Sequence, residues 1–293
     1  DEALAQRLYD YVSQKWFMFA SPVLSNAPED GKKAKGLPIS CFLTYVPDTI
    51  EGLIAHSAEL RWLSVMGGGV GGHWSDVRSV SDVAPGPIPF LHTVDADMTA
   101  YRQGTTRKGS YAAYMDADHP DIVEFIQMRV PTGDVNRKNL NLHHAVNLSD
   151  EFMEAVQTDS DFDLQWGGKV YETVKAKELW MKIITHAHAS AEPGLLFWDT
   201  MKKYHNAEYC SPLISTNPCA EQPLPDGGCC NLGALNLERF VDDNGNFDFE
   251  GFRETTAVGS RFLDNVIDYN INRHALEDQK QNAINDRRVG LGI

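Results

Sequence analysis

Apolar residues recur at helical spacing along the first sixteen positions, with Leu4, Leu8, Tyr11 and Val12 on one face, and predict a helix. The polar stretch "SNAPEDGKKAKG" reads as a loop, and "PISCFLTYV" as a strand. A long helix follows in "TIEGLIAHSAELRWLSVM", capped by Asp48 or Thr49 and ended by a glycine cluster. A short strand near "HWSDV" leads to the Pro/Gly-rich loop "SDVAPGPIPF". The polar turn "YRQGTTRKG" precedes the alternating strand "SYAAYMDAD", and Pro120 opens a helix over "DIVEFIQMR". Another loop, "PTGDVNRKN", separates that helix from the strand "LNLHHAVNLS" and a helix capped by Ser149. The helix "TVKAKELWMKIITHAHASA" leads to "GLLFWD". Further on, "NLGALNLERF" reads as a strand and "DFEGFRETTAVGSRFLDNVIDYNI" as a helix. Strands alternating with helices imply an α/β protein with a largely parallel sheet. With no repeat and no evident linker, residues 1–293 read as one domain: a helix and loop over about 1–35, then the sheet-bearing body over 36–293.

Bulk composition narrows the function classes. A chain of 293 residues with 42% hydrophobic content can bury a sizeable core. It has no apolar run of membrane-spanning length and no signal-peptide core at its start, so a cytoplasmic protein is expected. A net charge of −15 argues against broad nucleic-acid binding, although a few local cations and backbone N–H groups suffice for one nucleotide. The five cysteines, Cys41, Cys210, Cys219, Cys229 and Cys230, lack the even, dense pattern of a secreted disulfide scaffold.

Candidate chemistry gathers in two stretches. "GGGVGG", Gly67 to Gly72, formally fits the dinucleotide pattern G-x-G-x-x-G, but a helix precedes it where that fingerprint needs a strand. A helix C-cap and a close backbone approach to a ligand are the remaining readings. "STNPCAEQPLPDGGCCNLGALNL" holds three cysteines without the C-x2-4-C spacing that structural zinc favours. Buried inert thiols remain an alternative. In an extended loop Asn217, Cys219 and Glu221 share one side, which would project an amide, a thiol and a carboxylate together. His143 and His144 invite a metal reading, but strand alternation favours one packed and one outward ring, and no metal ligands are assigned.

These motifs resemble, in order, those of the catalytic subunit of ribonucleotide reductase. "PISCFL", "DTIEGL", "GGGVG", "DVRS", "RKGSYAAYMDADHPDIVEF", "NRKNLNLHHAVNLSDEFM", "NPCAEQPL" and "CCNLGALNL" carry the resemblance from about Phe17 onward. It implies the first half of a ten-stranded α/β barrel: a parallel five-stranded half-barrel with a finger loop, after an N-terminal helical segment. By matching position, Cys219 would carry the thiyl radical, Glu221 would take the 3′-hydroxyl proton, and Asn217 would hydrogen-bond that hydroxyl. Cys41 and Cys230 would be the reducing pair, with Cys229 packing and Cys210 structural. Ser21, Ser40, Gly68 and Gly69 match substrate-binding positions.

Asp48 and Arg78 match an allosteric site for a deoxynucleoside triphosphate or ATP, with Mg2+, at a dimer interface. For these two residues a helix N-cap and a surface ion pair are the plain alternatives. "SDVAPGPIP" and "PTGDVNRKN" match the loops that relay effector identity, with Arg137 as the reader in the second. The resemblance further implies a ribonucleotide substrate, ribonucleoside diphosphates first, and a homodimer. It implies a small β subunit whose metal cofactor generates the radical, and thioredoxin or glutaredoxin as reductant. The remaining half of the barrel, the paired radical-relay tyrosines and the C-terminal thiols are expected outside this sequence. An adenosylcobalamin-dependent class II enzyme is the alternative, and an inactive nucleotide-binding regulatory fragment is the reading from another class.

Overall fold

Caps and turn residues place the elements of the chain. The computed structural model describes residues 2–27, 36–101 and 109–293, and the chain divides into two compact units. The first unit comprises Asp1–Cys41, Met66–Gly68 and Gly228–Ile293; the second comprises Phe42–Val65 and Gly69–Gly227. Most of the loop expected at residues 25–36, and all but the ends of the turn expected at 101–109, lie outside the described residues.

The first unit begins with α1 (Glu2–Ser13), β1 (Phe17–Phe19) and α2 (Ser21–Asn26). The chain continues into β2 (Cys41–Tyr45), of which Cys41 belongs to the first unit. The second unit then adds α3 (Ile50–Val65), β3 (Gly69–His73), α4 (Pro87–Ala100), β4 (Ser110–Asp116) and α5 (Ile122–Gln127). It goes on through β5 (His143–Leu148), α6 (Asp150–Thr158), β6 (Asp161–Trp166), β7 (Lys169–Lys175), α7 (Ala176–Ser190) and β8 (Gly194–Phe197). It ends with α8 (Trp198–Tyr204), β9 (Ser215–Thr216) and β10 (Pro223–Leu224). The chain returns to the first unit for β11 (Cys229–Leu235), α9 (Phe249–Ile271), α10 (Glu277–Asp286) and β12 (Val289–Gly292).

In the first unit β11 pairs antiparallel with β1 and parallel with β12. Helix α9 packs on this sheet, and Phe17, Leu235 and Phe240 form a buried centre with Phe247, Phe252 and Phe262 around it. Asp248 caps α9 by accepting from Gly251 N at 2.9 Å. In the second unit the strand order is β2, β3, β4, β5, β8, and the β3–β4, β4–β5 and β5–β8 pairs are all parallel. This agrees with the parallel five-stranded arrangement expected from the sequence. Ser149 caps α6 as expected, accepting from Phe152 N at 3.1 Å. Thr49, and not Asp48, caps α3, accepting from Gly52 N at 3.0 Å.

Several elements depart from the pattern-based reading. β3 runs through the glycine cluster itself, over Gly69–His73, where a cap followed by a strand was expected. Helix α4 starts inside the Pro/Gly-rich loop, because Pro87 supplies a preset φ for a first turn. The β6–β7 hairpin turns on Gly167 and Gly168, whose φ values of 59° and 77° suit a two-residue turn. Helices α8 and α10 are short and weakly patterned, and periodicity alone did not separate them from loop.

The glycines of β3 have a packing reason. A Cβ at Gly71 would overlap the Thr216 carbonyl of β9, and one at Gly72 would overlap the Tyr111 hydroxyl. That hydroxyl accepts from Trp74 Nε1 at 2.9 Å and lies 3.1 Å from His56 Nε2, while His56 Nδ1 lies 3.0 Å from Thr44 Oγ1. Burial lowers the His56 pKa to about 4, so the ring is neutral and ties α3 to β2 and β4 as a plain hydrogen-bonding bridge. Because backbone cannot give way as a flexible side chain can, Gly71→Ala is expected to cost roughly 3 kcal/mol in urea unfolding. An unchanged midpoint would show that β9 does not need this close approach.

Candidate functional site

Two groups of reactive residues are built by different elements. In the first unit Cys230 follows Cys229 in β11, and Cys41 opens β2. The Sγ atoms of Cys41 and Cys230 lie within 4.8 Å of one another. Cys230 is buried and Cys41 half-buried, and all five cysteines are free thiols. Burial pushes the Cys229 pKa up to about 12, with Asp286 and Cys41 adding to the effect. Cys229 therefore stays a protonated thiol under ordinary conditions. Ser40 Oγ lies 3.9 Å from Cys41 Sγ. Ser21 opens α2, whose Asn26 donates to Leu37 O at 2.8 Å, and Leu37 N donates to Met66 O at 3.2 Å. These bonds tie together the segments that carry Ser21, Ser40 and Gly68.

In the second unit the loop after β9 holds Asn217, Cys219 and Glu221. It is a turn and not the extended run that alternation assumed. Ala220 N donates to Asn217 O at 3.0 Å, and Ala220 takes a φ of 65°, in the left-handed region. The trio consequently splits by exposure: Asn217 is buried, while Cys219 and Glu221 face outward. Asn217 Oδ1 accepts from Gln222 N at 3.0 Å and Tyr114 Oη donates to Asn217 O at 2.5 Å. Burial raises the Tyr114 pKa, which keeps the phenol protonated as the donor. Among the described residues Asn217 Nδ2 is buried with no hydrogen-bond partner, a donor held ready for an acceptor such as a hydroxyl oxygen. Gly69 opens β3 in this unit, paired with Ser110 of β4.

The third group is also within the second unit. Arg78 donates to Asp48 from its backbone N at 3.0 Å and from Nε at 3.0 and 2.9 Å. Both residues line a pocket of about 230 Å³ together with Ile50, Val83, Pro85 and Phe90. Arg137 Nη2 donates to Glu124 Oε2 at 2.5 Å, and its Nη1 donates to Pro85 O at 3.4 Å. Arg137 thus joins the 131–139 loop to a residue that lines the pocket. Asp121 fixes the other loop from below, accepting from Ser79 Oγ at 2.9 Å and Val80 N at 3.1 Å.

Comparison with known proteins settles the family. The description "ribonucleotide reductase, barrel domain" matches residues 39–293. The chain belongs to the ribonucleotide reductase large-subunit family. A putative ribonucleoside-diphosphate reductase large subunit of Frog virus 3 is 48% identical over 99% of this chain and 52% of its own length. A vitamin B12-dependent ribonucleoside-diphosphate reductase of Thermoplasma acidophilum is 33% identical over 98% of this chain and 37% of its own. The class Id ribonucleotide reductase alpha subunit of Actinobacillus ureae shares the fold, with a TM-score of 0.79 at 23% identity over 99% of this chain and 54% of that one. The α/β fold is therefore that of the reductase barrel, and the chain spans about half the length of the first relatives it matches.

Three residues around these groups escaped sequence reasoning. Tyr114, Glu124 and Asp121 act through long-range partners, and no local motif signals them. Glu192 is a further, half-buried anchor: its carboxylate meets His143 Nδ1 at 2.6 Å, His144 Nδ1 at 2.8 Å and Arg129 at 3.2 Å. These partners outweigh burial and lower the Glu192 pKa to about 2. His143 is exposed and His144 buried, as alternation predicts.

Mild oxidation with diamide at pH 8, followed by peptide mapping, is expected to link Cys41 to Cys230 and leave Cys229 as a thiol. Recovery of a Cys229-containing disulfide as the main product would reverse the assignment of the pair.

Proposed function

We propose that this chain supplies the first half of the catalytic barrel of a ribonucleotide reductase, which converts ribonucleoside diphosphates to deoxyribonucleotides. The observation that carries the reading is the approach of Cys41 and Cys230 to within 4.8 Å, in a chain of this family. Removing an unactivated 2′-hydroxyl takes two electrons, and a close dithiol supplies them while becoming a disulfide. Cys219, exposed at the tip of its turn, abstracts the 3′-hydrogen as a thiyl radical and becomes a thiol. Glu221 takes the 3′-hydroxyl proton and Asn217 Nδ2 donates to the 3′-oxygen. The 2′-hydroxyl leaves as water with one proton from the dithiol, the second dithiol hydrogen goes to C2′, and Glu221 returns its proton to the 3′-oxygen. Cys41 and Cys230 end as a disulfide, and Cys219 returns a hydrogen atom to C3′. Ser21, Ser40 and the backbone at Gly68 and Gly69 bind the substrate.

The radical source, a metal cofactor of a small β subunit, provides the oxidising equivalent that Cys219 holds. Adenosylcobalamin is the second reading, favoured by the 33% identity to a vitamin B12-dependent relative. The pocket at Asp48 and Arg78 takes the deoxynucleoside triphosphate or ATP effector with its Mg2+, and Arg137 relays its identity. Beside it α3 leaves Ile50, Ile54 and Trp62 exposed, an apolar stripe suited to a homodimer with a second α subunit. Thioredoxin or glutaredoxin re-reduces the disulfide, which suits a cytoplasmic location.

Turnover should be measured on the full-length protein with its β subunit, and separately with adenosylcobalamin. Cys219→Ser is expected to lower it by at least about 10³-fold. Cys230→Ser is expected to stop net reduction, and Cys229→Ser to keep most of it. Full activity of Cys219→Ser, or no activity of the wild type with either source, would refute the reading and favour an inactive regulatory fragment.

A further inference from the structure

Away from the thiols and the effector pocket, the second unit holds a larger hollow that no step above uses. It has a volume of about 540 Å³ and lies where the parallel strands end. Asp116 closes β4, Asn147 is the penultimate residue of β5, and Trp198 follows β8. In open parallel sheets, this carboxyl end of the strands is where ligands are held. The β6–β7 hairpin supplies another wall through Asp161, Asp163 and Gln165. A neighbouring hollow of about 360 Å³ shares Asp116, Asp118 and Gln165 and adds Asp76.

The polar groups of this wall are incompletely satisfied. Asn147 is 2% exposed, and its Nδ2 donates to Asp116 Oδ1 at 2.7 Å. Its Oδ1 is buried with no hydrogen-bond partner among the described residues, although Asn147 lines the hollow. An orphaned buried acceptor calls for an N–H or O–H donor from a ligand. Asp116 also meets His73 Nε2 at 3.1 Å, and Asp118 Oδ2 accepts from Gln165 Nε2 at 3.4 Å. Burial, with Asp116 beside it, raises the Asp118 pKa, so a cation at this point would relieve both effects. Two lysines already stand against this wall: Lys175 pairs with Asp161 at 2.7 Å, and Lys202 sits 5.5 Å over the Trp198 ring.

We infer that this hollow binds a small organic polycation, bearing ammonium or guanidinium groups, through Asp116, Asp118 and the Asn147 acceptor, with Trp198 packing against its alkyl chain. A bare metal ion does not fit the arrangement. Among the described residues no three carboxylates of this wall bring their oxygens within 4.8 Å of one another, and the volume far exceeds an ion's. A flexible chain with spaced charges matches carboxylates spread over two connected hollows. An aromatic face next to them suits an alkylammonium group.

The probe is spermidine, titrated calorimetrically into the full-length protein at low ionic strength, with agmatine as a guanidinium arm. Saturable one-site binding with a Kd below about 1 mM is expected. Asp118→Asn and Trp198→Ala should each weaken it by about tenfold, while Glu254→Gln, on the exposed face of α9, should not. Two variants guard against one that fails to fold, and circular dichroism identifies such a case. The inference is overturned if spermidine does not saturate, if both pocket variants bind like Glu254→Gln, or if Mg2+ gives the same isotherm. The last result would mean attraction to the net negative charge alone.

Discussion

The Thr216 carbonyl lies where any side chain on Gly71 would stand, and the placement of the loop after β9 depends on that close approach. β9 can lie against β3 only because β3 is a glycine strand. Once it does, Tyr114 from the neighbouring β4 reaches the Asn217 carbonyl. Ala220 packs on Ala112, Tyr114, Ala145 and Leu196, so the turn rests on the sheet itself. Asn217 is thereby buried and its amide oxygen committed to the Gln222 N–H, while Cys219 is held outward. The strain of a left-handed alanine at the tip is tolerated because these contacts fix the residues on both sides.

The first unit gives the two thiols of a vicinal pair different surroundings. Cys229 and Cys230 are both buried, and the Cys230 Sγ lies within 4.8 Å of the Cys41 Sγ. Burial raises the Cys229 pKa to about 12, beyond the range in which a thiolate could compete. Adjacent residues of a strand point to opposite faces, so the sequence "CC" gives two chemically different thiols. The aromatic centre around Phe17 and Phe240 holds β1 and β11 in register, and the Asn231 amide, donating to Leu263 O at 2.5 Å, ties β11 to α9.

Local signals were legible where a residue acts on its own neighbourhood. Ser149 caps α6, Pro120 precedes α5, and His143 and His144 divide between solvent and core. Signals failed where tertiary partners override propensity. Asp48 was a reasonable cap, but Arg78, thirty residues on, holds its carboxylate and Thr49 does the capping. Helix α4 hid behind Pro and Gly, and the Gly167–Gly168 hairpin was absorbed into a helix-to-helix connection. Alternation placed Asn217, Cys219 and Glu221 on one side of an extended loop, whereas a hydrogen-bonded turn separates Asn217 from the other two by burial. The family was readable from the motifs; Tyr114 and Asp121, which bond to their loops across the fold, were not.

The claim on which the account turns is that the sheet positions the turn through the bond from Tyr114 Oη to the Asn217 carbonyl. Tyr114→Phe removes that donor, together with the contact of the hydroxyl with the Thr216 side chain. Steady-state reduction by the complete enzyme should then show kcat down by roughly tenfold or more, KM nearly unchanged, and stability lowered by only about 1 kcal/mol. A variant with wild-type kcat and the same small loss of stability would contradict the account, because the turn would then hold its register without the sheet.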